Sequence, residues 1–275
     1  YTGTHGSGVF RAQLLSLPRP DRVAYTSFAS TEGLALVGDA QQHESRLRLS
    51  SSDASQTGAA WHYAKQQVAD GFETRYQFQL SEFLDGGPEG FAFVIQNSDA
   101  QAVGEGWAGI GYERIPNSLA VEFDTFMHED ASDPFGDPND NHISVQSLGS
   151  APNTVREGGQ LGVTAAIPDM SDGALHDARV LYTPGSLQVF LDDLVTPVLT
   201  VAVDLSTLLQ LDDGAAWVGL TAATGDAWEN HDILSWFFTP AGGPGGPGAG
   251  VAVSLTTPTR VAADGSFVAS VRVED

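Results

Sequence analysis

Apolar and polar residues alternate along most of this chain, which is the pattern expected of β-strands with one buried face. The segment GFETRYQFQL places Phe72, Tyr76 and Phe78 on one face, and GFAFVIQ repeats the period with Phe91 and Phe93. Similar runs follow in LAVEFDTF, HISVQS, HDARVLY, GSLQVFLDD, AAWVGLTAAT and HDILSWFF, separated by clusters of Gly, Pro, Asn and Asp. The sequence therefore predicts an all-β fold of many short antiparallel strands, arranged as a sandwich or barrel.

The pattern changes in three places. The segment DLSTLLQL predicts one short helix, capped by Asp204 or Ser206. Residues 1–240 are predicted to form one large β domain, and residues 241–250 (AGGPGGPGAG) are a Gly/Pro linker. Residues 251–275 contain two strand-like runs that are too short to fold alone. These runs either begin a second, Ig-like β domain that is cut short or complete the first domain, and we favour the cut-short domain.

The charge balance excludes several classes of function. The chain has 275 residues with 35 acidic and 12 basic side chains, giving a formal net charge of −23. Nucleic acid is therefore not an expected partner. There is no cysteine, which rules out disulfides and thiolate metal sites. No apolar run approaches the ~20 residues of a membrane span, so membrane insertion is not expected.

The most unusual segment is VEFDTFMHEDASDPFGDPNDNHISV, residues 121–145, which has seven carboxylates and neither Lys nor Arg. In a strand, Glu122 and Asp124 share a face, and a hairpin with HISVQS would bring His142 beside them. Carboxylates with one imidazole suit calcium or an ion such as manganese, which would also relieve the repulsion. The alternative is an acidic loop that is simply solvated.

LAVEFDTF followed by DPNDNHISV resembles the metal-binding segment of the legume-lectin (L-type lectin) family, particularly its bacterial members. GFAFVIQNS, GIGYERIPNS and GLTAATGDAWENHDILSW resemble the family in the same order. The resemblance implies a concanavalin A-like antiparallel β-sandwich (jelly roll) that binds Ca²⁺ and a transition metal such as Mn²⁺. It assigns Glu122, Asp124, Asp137 and His142 to the transition metal. It assigns calcium to Asp124, Asp137 and the backbone carbonyl of Phe126.

The loop departs from the family pattern at two points. His128 stands where the family usually has an asparagine that touches both calcium and sugar. The loop is also longer, so Asp133 competes with Asp137 for the second bridging role. We prefer Asp137, because DPNDNH keeps the spacing to His142. Asp130 or Asp133 could then replace the missing asparagine.

The resemblance also indicates where a sugar would bind. Glu89, in GGPEGFAF, replaces an aspartate that the family presents on a turn, usually after a cis peptide, here Pro88–Glu89. Gly106, in GEGWAGIG, would offer its backbone N–H. Asp226 and Trp228, in ATGDAWENHD, would contact hydroxyls and a pyranose face. The alternatives are an ordinary turn residue at Glu89 and a core residue at Trp228.

These observations predict a calcium- and manganese-dependent carbohydrate-binding lectin domain. We expect it to bind glycans and to belong to a larger secreted or cell-surface, adhesin-like protein, and the resemblance allows a homodimer. One alternative is an adhesive β module that binds no sugar. A glycoside hydrolase on the same sandwich is less favoured, because EFDTFM has Met127 where the third carboxylate of such enzymes stands. We therefore do not expect an enzyme.

Overall fold

The computed structural model describes residues 22–83, 88–130, 132, 134–242, 253–255 and 271–273. The first strands are β1 (Ala24–Tyr25), β2 (Leu34–Gly38), β3 (Gln41–His43), β4 (Arg46–Ser50), β5 (Thr57–His62), β6 (Gln66–Gln67), β7 (Phe72–Ser81), β8 (Gly90–Gln96) and β9 (Ser118–Asp124). They are followed by β10 (His142–Gln146), β11 (Gln160–Thr164), β12 (His176–Thr183), β13 (Ser186–Leu191), β14 (Leu199–Val201), β15 (Ala215–Ala223), β16 (Asn230–Pro240), β17 (Val253–Leu255) and β18 (Val271–Val273).

Two eight-stranded antiparallel sheets form the body of the protein. The back sheet has the order β14-β13-β12-β7-β16-β4-β3, with β1 beside β16, and the front sheet has the order β11-β10-β9-β8-β15-β5-β2, with β6 beside β15. Neighbouring strands within each sheet are often distant in the sequence, as in a sandwich with crossing connections. The predicted all-β sandwich is confirmed.

The apolar residues of the strands pack into two separate core layers. In β7, Phe72, Tyr76 and Phe78 are buried between the sheets, together with Phe91 and Phe93 of β8. The front strands are buried on both faces, so β8 and β9 contain no exposed residue. Their other face packs into a second apolar cluster, whose members include Trp61, Ala92, Val94, Ile110, Tyr112, Ala120 and Phe135. This second layer is built by loops that lie over the front sheet, where the acidic segment also lies.

The predicted short helix is confirmed as α1 (Leu205–Leu208), and the Asp204 side chain accepts a hydrogen bond from the Ser206 N–H. Two three-residue 3₁₀ turns also occur, at Trp107–Gly109 and Glu157–Gly159. Trp61 and Trp236 are core residues, whereas Trp217 is only half-buried and lies under the Lys65 ammonium, 3.9 Å from the ring centroid.

His176 lies between two carboxylates. Its Nε2 lies 3.1 Å from Asp172 and its Nδ1 lies 3.0 Å from Asp192. Asp172 lies four residues earlier, in the loop before β12, whereas Asp192 directly follows β13, the strand that pairs with β12. The imidazole therefore joins two loops at one end of this strand pair.

Most of the expected linker and tail lies outside the described residues, which also begin only at residue 22. The described part of the tail consists of β17 and β18, which pair with each other as a separate two-stranded sheet. The division into a domain, a linker and a second Ig-like domain therefore stays a prediction. None of the helices in the described ranges is long and apolar enough to cross a membrane.

Candidate metal centre and its surrounding loops

The candidate site begins with the predicted hairpin, which the structure confirms. Strands β9 and β10 pair so that His142 lies opposite Asp124 and Ser144 lies opposite Glu122. Val121 and Phe123 point into the core between the sheets. Alternation therefore directs the acids and the imidazole to the opposite face, under the overlying loops.

Glu122, Asp124 and His142 meet closely enough to share one ion. One ligand atom from each lies within 4.8 Å of the other two, and all three residues are at most 4% exposed. Glu122 accepts hydrogen bonds from the Tyr112 hydroxyl (3.0 Å) and the Ser144 hydroxyl (2.6 Å). Asp124 accepts one from the backbone N–H of Phe126 (2.7 Å), which holds the Phe126 backbone against the cluster.

Asp137 completes the cluster from the acidic loop. Its Oδ1 lies 3.5 Å from His142 Nε2, and its Oδ2 accepts a hydrogen bond from the backbone N–H of His128 (2.9 Å). The other ring nitrogen of His142, Nδ1, lies 2.9 Å from the Asn139 carbonyl oxygen and donates its proton there. This hydrogen bond leaves Nε2 buried, deprotonated and without a hydrogen-bond donor.

Burial dominates the electrostatics of this cluster. It raises the pKa of Glu122 to about 7 and that of Asp137 to about 6, and it raises the pKa of Asp124 well above its usual value. Repulsion from neighbouring carboxylates contributes further to Glu122 and Asp124. Burial also lowers the pKa of His142 to about 4, so its imidazole is neutral and supplies no compensating charge. Among the described residues, no Lys or Arg pairs with Glu122 or Asp124, whereas Arg156 acts at longer range on Asp137 and partly offsets the rise in its pKa.

The donor set fits a divalent cation on three counts. Carboxylate oxygens and a neutral imidazole nitrogen are ligands of manganese-like ions, and carboxylate plus backbone carbonyl oxygens are ligands of calcium. The unpartnered Nε2 of His142 is directed at the acids, as a ligating nitrogen would be. The contact from Nδ1 to the Asn139 carbonyl fixes the tautomer that ligation requires.

The loop positions that depart from the family pattern have distinct surroundings. His128 stacks on Phe135, with ring centroids 4.7 Å apart, and its Nε2 lies 3.1 Å from Glu89 Oε2. Asp130 accepts hydrogen bonds from Ser132. Asp133, the alternative bridging residue, lies outside the described residues. The structure thus places Asp137 in the cluster, and His128 between that aspartate and the Glu89 turn.

The Glu89 turn lies directly beside the metal cluster. Glu89 is buried, and its pKa is raised to about 7 by burial and then by repulsion from Asp137. Gly90 follows with φ +105°, and a Cβ there would lie 2.1 Å from the Phe123 carbonyl oxygen, so only glycine fits. The described residues contain no cis peptide bond, so the expectation of a cis Pro88–Glu89 bond was wrong for this structure.

A residue that the sequence analysis missed, Trp107, lies beside Glu89. A Cβ added at Gly225 would lie 2.5 Å from Glu89 Oε1 and 3.5 Å from Cε3 of Trp107. The missing side chain at Gly225 therefore lets the Glu89 carboxylate and the Trp107 indole approach each other, and we call the surface where they meet the Gly225 gap. Trp107 is 49% exposed and has φ +54°, an uncommon backbone for a residue with a side chain. Its place between glycines in GEGWAGIG, outside any alternating run, was the available signal.

The other residues predicted to contact sugar are sequence neighbours of Trp107 and Gly225. Gly106 precedes Trp107, and a Cβ there would lie 2.3 Å from Thr57 Oγ1, so glycine allows the loop to approach β5. Asp226 is exposed and Trp228 is half-buried on the loop that begins at Gly225. Trp228 is therefore not a core residue. Asp226 and Trp228 both follow Gly225 within three residues of the sequence.

The comparison with known proteins agrees with the fold and the motif order. The sequence profile of the legume lectin domain matches residues 21–246. A seed lectin from Styphnolobium japonicum is 31% identical over 244 residues, which cover 78% of this chain and 77% of that protein.

Solved structures show the same architecture. Basic winged bean lectin with Tn-antigen superposes with a TM-score of 0.64 at 28% identity, covering 82% of this chain and 99% of that one. A lectin from Bauhinia forficata in complex with GalNAc shares the fold with a TM-score of 0.66 at 24% identity, covering 79% and 96%. The predicted family is confirmed, whereas the bacterial subtype stays a prediction. This chain belongs to the legume lectin domain family.

Proposed function

We propose that this chain is a carbohydrate-binding domain whose site is ordered by calcium and a transition-metal ion such as Mn²⁺. The observation that carries the proposal is the buried cluster of Glu122, Asp124 and His142, which lies beside the Glu89 turn and contains no compensating positive charge. A protein gains little from burying uncompensated carboxylates unless an external cation completes the site.

The residues divide between the two ions by donor type. Glu122, Asp124, Asp137 and His142 would hold the transition metal, because only this group includes an imidazole. Asp124, Asp137 and the backbone carbonyl of Phe126 would hold calcium, which prefers oxygen. Bound cations neutralise the acids and fix the loop from Phe126 to Asp137. That loop carries His128, whose contact with Glu89 connects the metal cluster to the Gly225 gap.

The gap between Glu89 and Trp107 has the chemistry that a sugar ring requires. A carboxylate accepts hydrogen bonds from hydroxyls, and an exposed indole stacks on the apolar face of a pyranose. Gly225 adds no side chain between them. We therefore assign the sugar to this gap, with Glu89 as the hydrogen-bond acceptor and Trp107 as the stacking platform. Gly106, Asp226 and Trp228 would line its edges.

Several finer points rest on the family resemblance alone. We propose a secreted or cell-surface location, a role in adhesion within a larger protein, and a homodimer that uses the outer face of the back sheet. Sedimentation of the purified chain tests the last of these directly, because a single species with the mass of a monomer would contradict it.

The test of the proposed function is glycan-array binding by protein that has been stripped with EDTA and then reloaded with Ca²⁺ and Mn²⁺. The reloaded protein should bind a defined set of glycans with weak, millimolar to high-micromolar monovalent affinity, and the stripped protein should bind none. Binding that is equally strong in EDTA would contradict the role of the metals. Release of reducing sugar would instead support the hydrolase alternative.

Variants then test the assigned gap. Glu89→Ala and Trp107→Ala should each reduce sugar affinity at least tenfold while two metals still bind. Tyr63→Ala is the matched control, because Tyr63 is similarly exposed (46%) but follows the opposite end of β5 from Thr57. Unchanged affinity in Trp107→Ala would move the sugar away from the gap, and loss of affinity in Tyr63→Ala would show that the effect is not local.

A further inference from the structure

Another buried carboxylate, Glu229, contacts the residue after Asp124 and is not one of the proposed metal ligands. It is fully buried, at the end of the loop that begins with Gly225. Its Oε1 lies 3.2 Å from the Thr125 hydroxyl and 3.3 Å from His231 Nε2. Its Oε2 accepts a hydrogen bond from the Ser171 hydroxyl (3.1 Å). One carboxylate therefore joins three segments that are far apart in the sequence.

The contact with Thr125 reaches the metal loop and the sugar turn together. Thr125 is buried between Asp124 and Phe126, which are both assigned to calcium. Its single hydroxyl proton is shared between Glu229 Oε1 and the Pro88 carbonyl oxygen, immediately before Glu89. A displaced Thr125 would therefore displace a carboxylate ligand, a carbonyl ligand and the Glu89 turn.

The contact with Ser171 reaches the opposite side of the cluster. The backbone N–H of the neighbouring Met170 donates to Asn141 Oδ1 (3.1 Å), and Asn141 Nδ2 donates to the Pro168 carbonyl oxygen (2.9 Å). Asn141 directly precedes His142. Glu229 therefore contacts the loop of residues 168–171 through Ser171, and this loop is hydrogen-bonded to Asn141, the residue before His142.

His231 is a close neighbour of the carboxylate. It is fully buried on β16, and its Nδ1 lies 2.6 Å from the Ser50 hydroxyl on β4. Its Nε2 lies 3.3 Å from Glu229 Oε1 without a hydrogen bond. Glu229 directly precedes β16, so its own backbone attaches it to the back sheet.

We propose that Glu229 is a positioning residue that anchors the calcium loop and the Glu89 turn to the back sheet, and so sets the affinity of the site for calcium. The proposal rests on the proposed metal site but assigns a residue outside it. The hydroxyls of Thr125 and Ser171 each lie within hydrogen-bond distance of one carboxylate oxygen, and His231 Nε2 lies 3.3 Å from Oε1 without a hydrogen bond. A glutamine has the same shape but only one acceptor oxygen, so its amide would face at least one of these donors.

The test is calorimetric titration of the EDTA-stripped full chain with Ca²⁺ in the presence of saturating Mn²⁺. Glu229→Gln and Thr125→Val should each weaken calcium binding about fivefold to tenfold, and the double variant should be little weaker than either, because both remove the same link. Thr125→Ser keeps the hydroxyl and should bind calcium within twofold of wild type.

Asp232→Asn is the matched control. Asp232 is also a fully buried acid on β16, but it pairs with Arg46 and Arg48 on β4. This variant should melt at a lower temperature while its calcium affinity, measured well below that temperature, stays within twofold of wild type. Calcium affinity in Glu229→Gln and Thr125→Val that equals wild type would overturn the proposal and leave Glu229 with a merely structural role. A wild type that takes up no calcium would contradict the proposed metal site itself.

Discussion

The protein buries acids on both of its sheets, but it compensates them in opposite ways. On the back sheet, Asp232 is fully buried. Its Oδ1 and Oδ2 accept hydrogen bonds from Nε and Nη2 of Arg48, each at 2.8 Å, and Arg46 Nη1 lies 3.2 Å from Oδ2. On the front sheet, Glu122 and Asp124 are equally buried. No Lys or Arg of the described chain lies within 4 Å of either carboxylate, whose hydrogen bonds come from hydroxyl and backbone donors.

The difference separates a structural acid from one that binds a ligand. A chain with only 12 basic residues for 35 acidic ones nevertheless places two arginines on one aspartate. The front cluster receives neutral partners and an imidazole whose pKa is too low for it to carry charge. An ion pair within the chain completes the first site, and under the proposed function a cation from solution completes the second.

The largest effect on folding should come from breaking the compensated site. Asp232→Asn leaves two arginines beside a buried amide and should lower the free energy of unfolding by about 3 kcal/mol, with or without metals. Urea denaturation in EDTA and in Ca²⁺/Mn²⁺ measures it. A loss of stability that appears only in the metal-loaded protein would contradict the division between the two sites.

The same substitution at the uncompensated site should act in the opposite direction. Asp124→Asn removes a buried acid whose pKa is raised by burial and by Glu122, so metal-free protein should gain on the order of 1 kcal/mol. It should also lose both metals, their stabilisation and glycan binding. Denaturation in EDTA and elemental analysis measure these outcomes, and a variant that still holds two ions would refute the assignment of Asp124.

Acidity should abolish the stabilisation that metals confer. In the unfolded chain carboxylates titrate near pH 4, whereas burial raises the pKa of Glu122 to about 7 and that of Asp137 to about 6. The metal-free native state thus holds extra protons between about pH 4 and 7, and its stability falls as pH rises through this window. The pKa of His142 is lowered to about 4, so this residue makes stability rise with pH. It is one group, whereas several carboxylates act in the other direction.

Metals compete with those protons. The rise in melting temperature on adding Ca²⁺ and Mn²⁺ should therefore be largest at pH 7.5 and nearly absent at pH 5. Thermal scans at both pH values, with and without EDTA, check the trend. An equal rise at pH 5 and pH 7.5 would show that the stabilising ions bind elsewhere.

The smallest expected effect concerns His128. The family asparagine at this position would offer calcium an oxygen, whereas the His128 imidazole lies 3.1 Å from Glu89. His128→Asn should therefore strengthen calcium binding about threefold, in a range that calorimetry resolves. Weaker calcium binding in this variant would indicate that the imidazole itself supports the loop, through its stacking on Phe135.

Local sequence predicted the parts of this site that depend on local periodicity. Alternation placed Val121 and Phe123 in the core and Glu122 and Asp124 on the other face, and a hairpin then brought His142 opposite Asp124. These relations follow from the two-residue repeat of a strand and from the antiparallel pairing of two consecutive strands.

Contacts between distant loops could not be predicted in this way. Trp107 reaches Glu89 only because its backbone turns at φ +54° and because Gly225, more than a hundred residues later, lies between them. His176 likewise meets Asp192, sixteen residues later, at the end of the β12–β13 pair that is opposite its connecting turn. Such neighbours are determined by tertiary packing, and composition or periodicity carries no information about them.

The most direct test of the central claim is to count the divalent ions held by the front cluster. EDTA-stripped protein at pH 7.5, dialysed against Ca²⁺ and Mn²⁺ and then against buffer, should retain about two ions per chain by elemental analysis, with a raised melting temperature. Protein that retains no ions and melts at the same temperature as the stripped form would show that the buried acids need no cation, and would contradict the account.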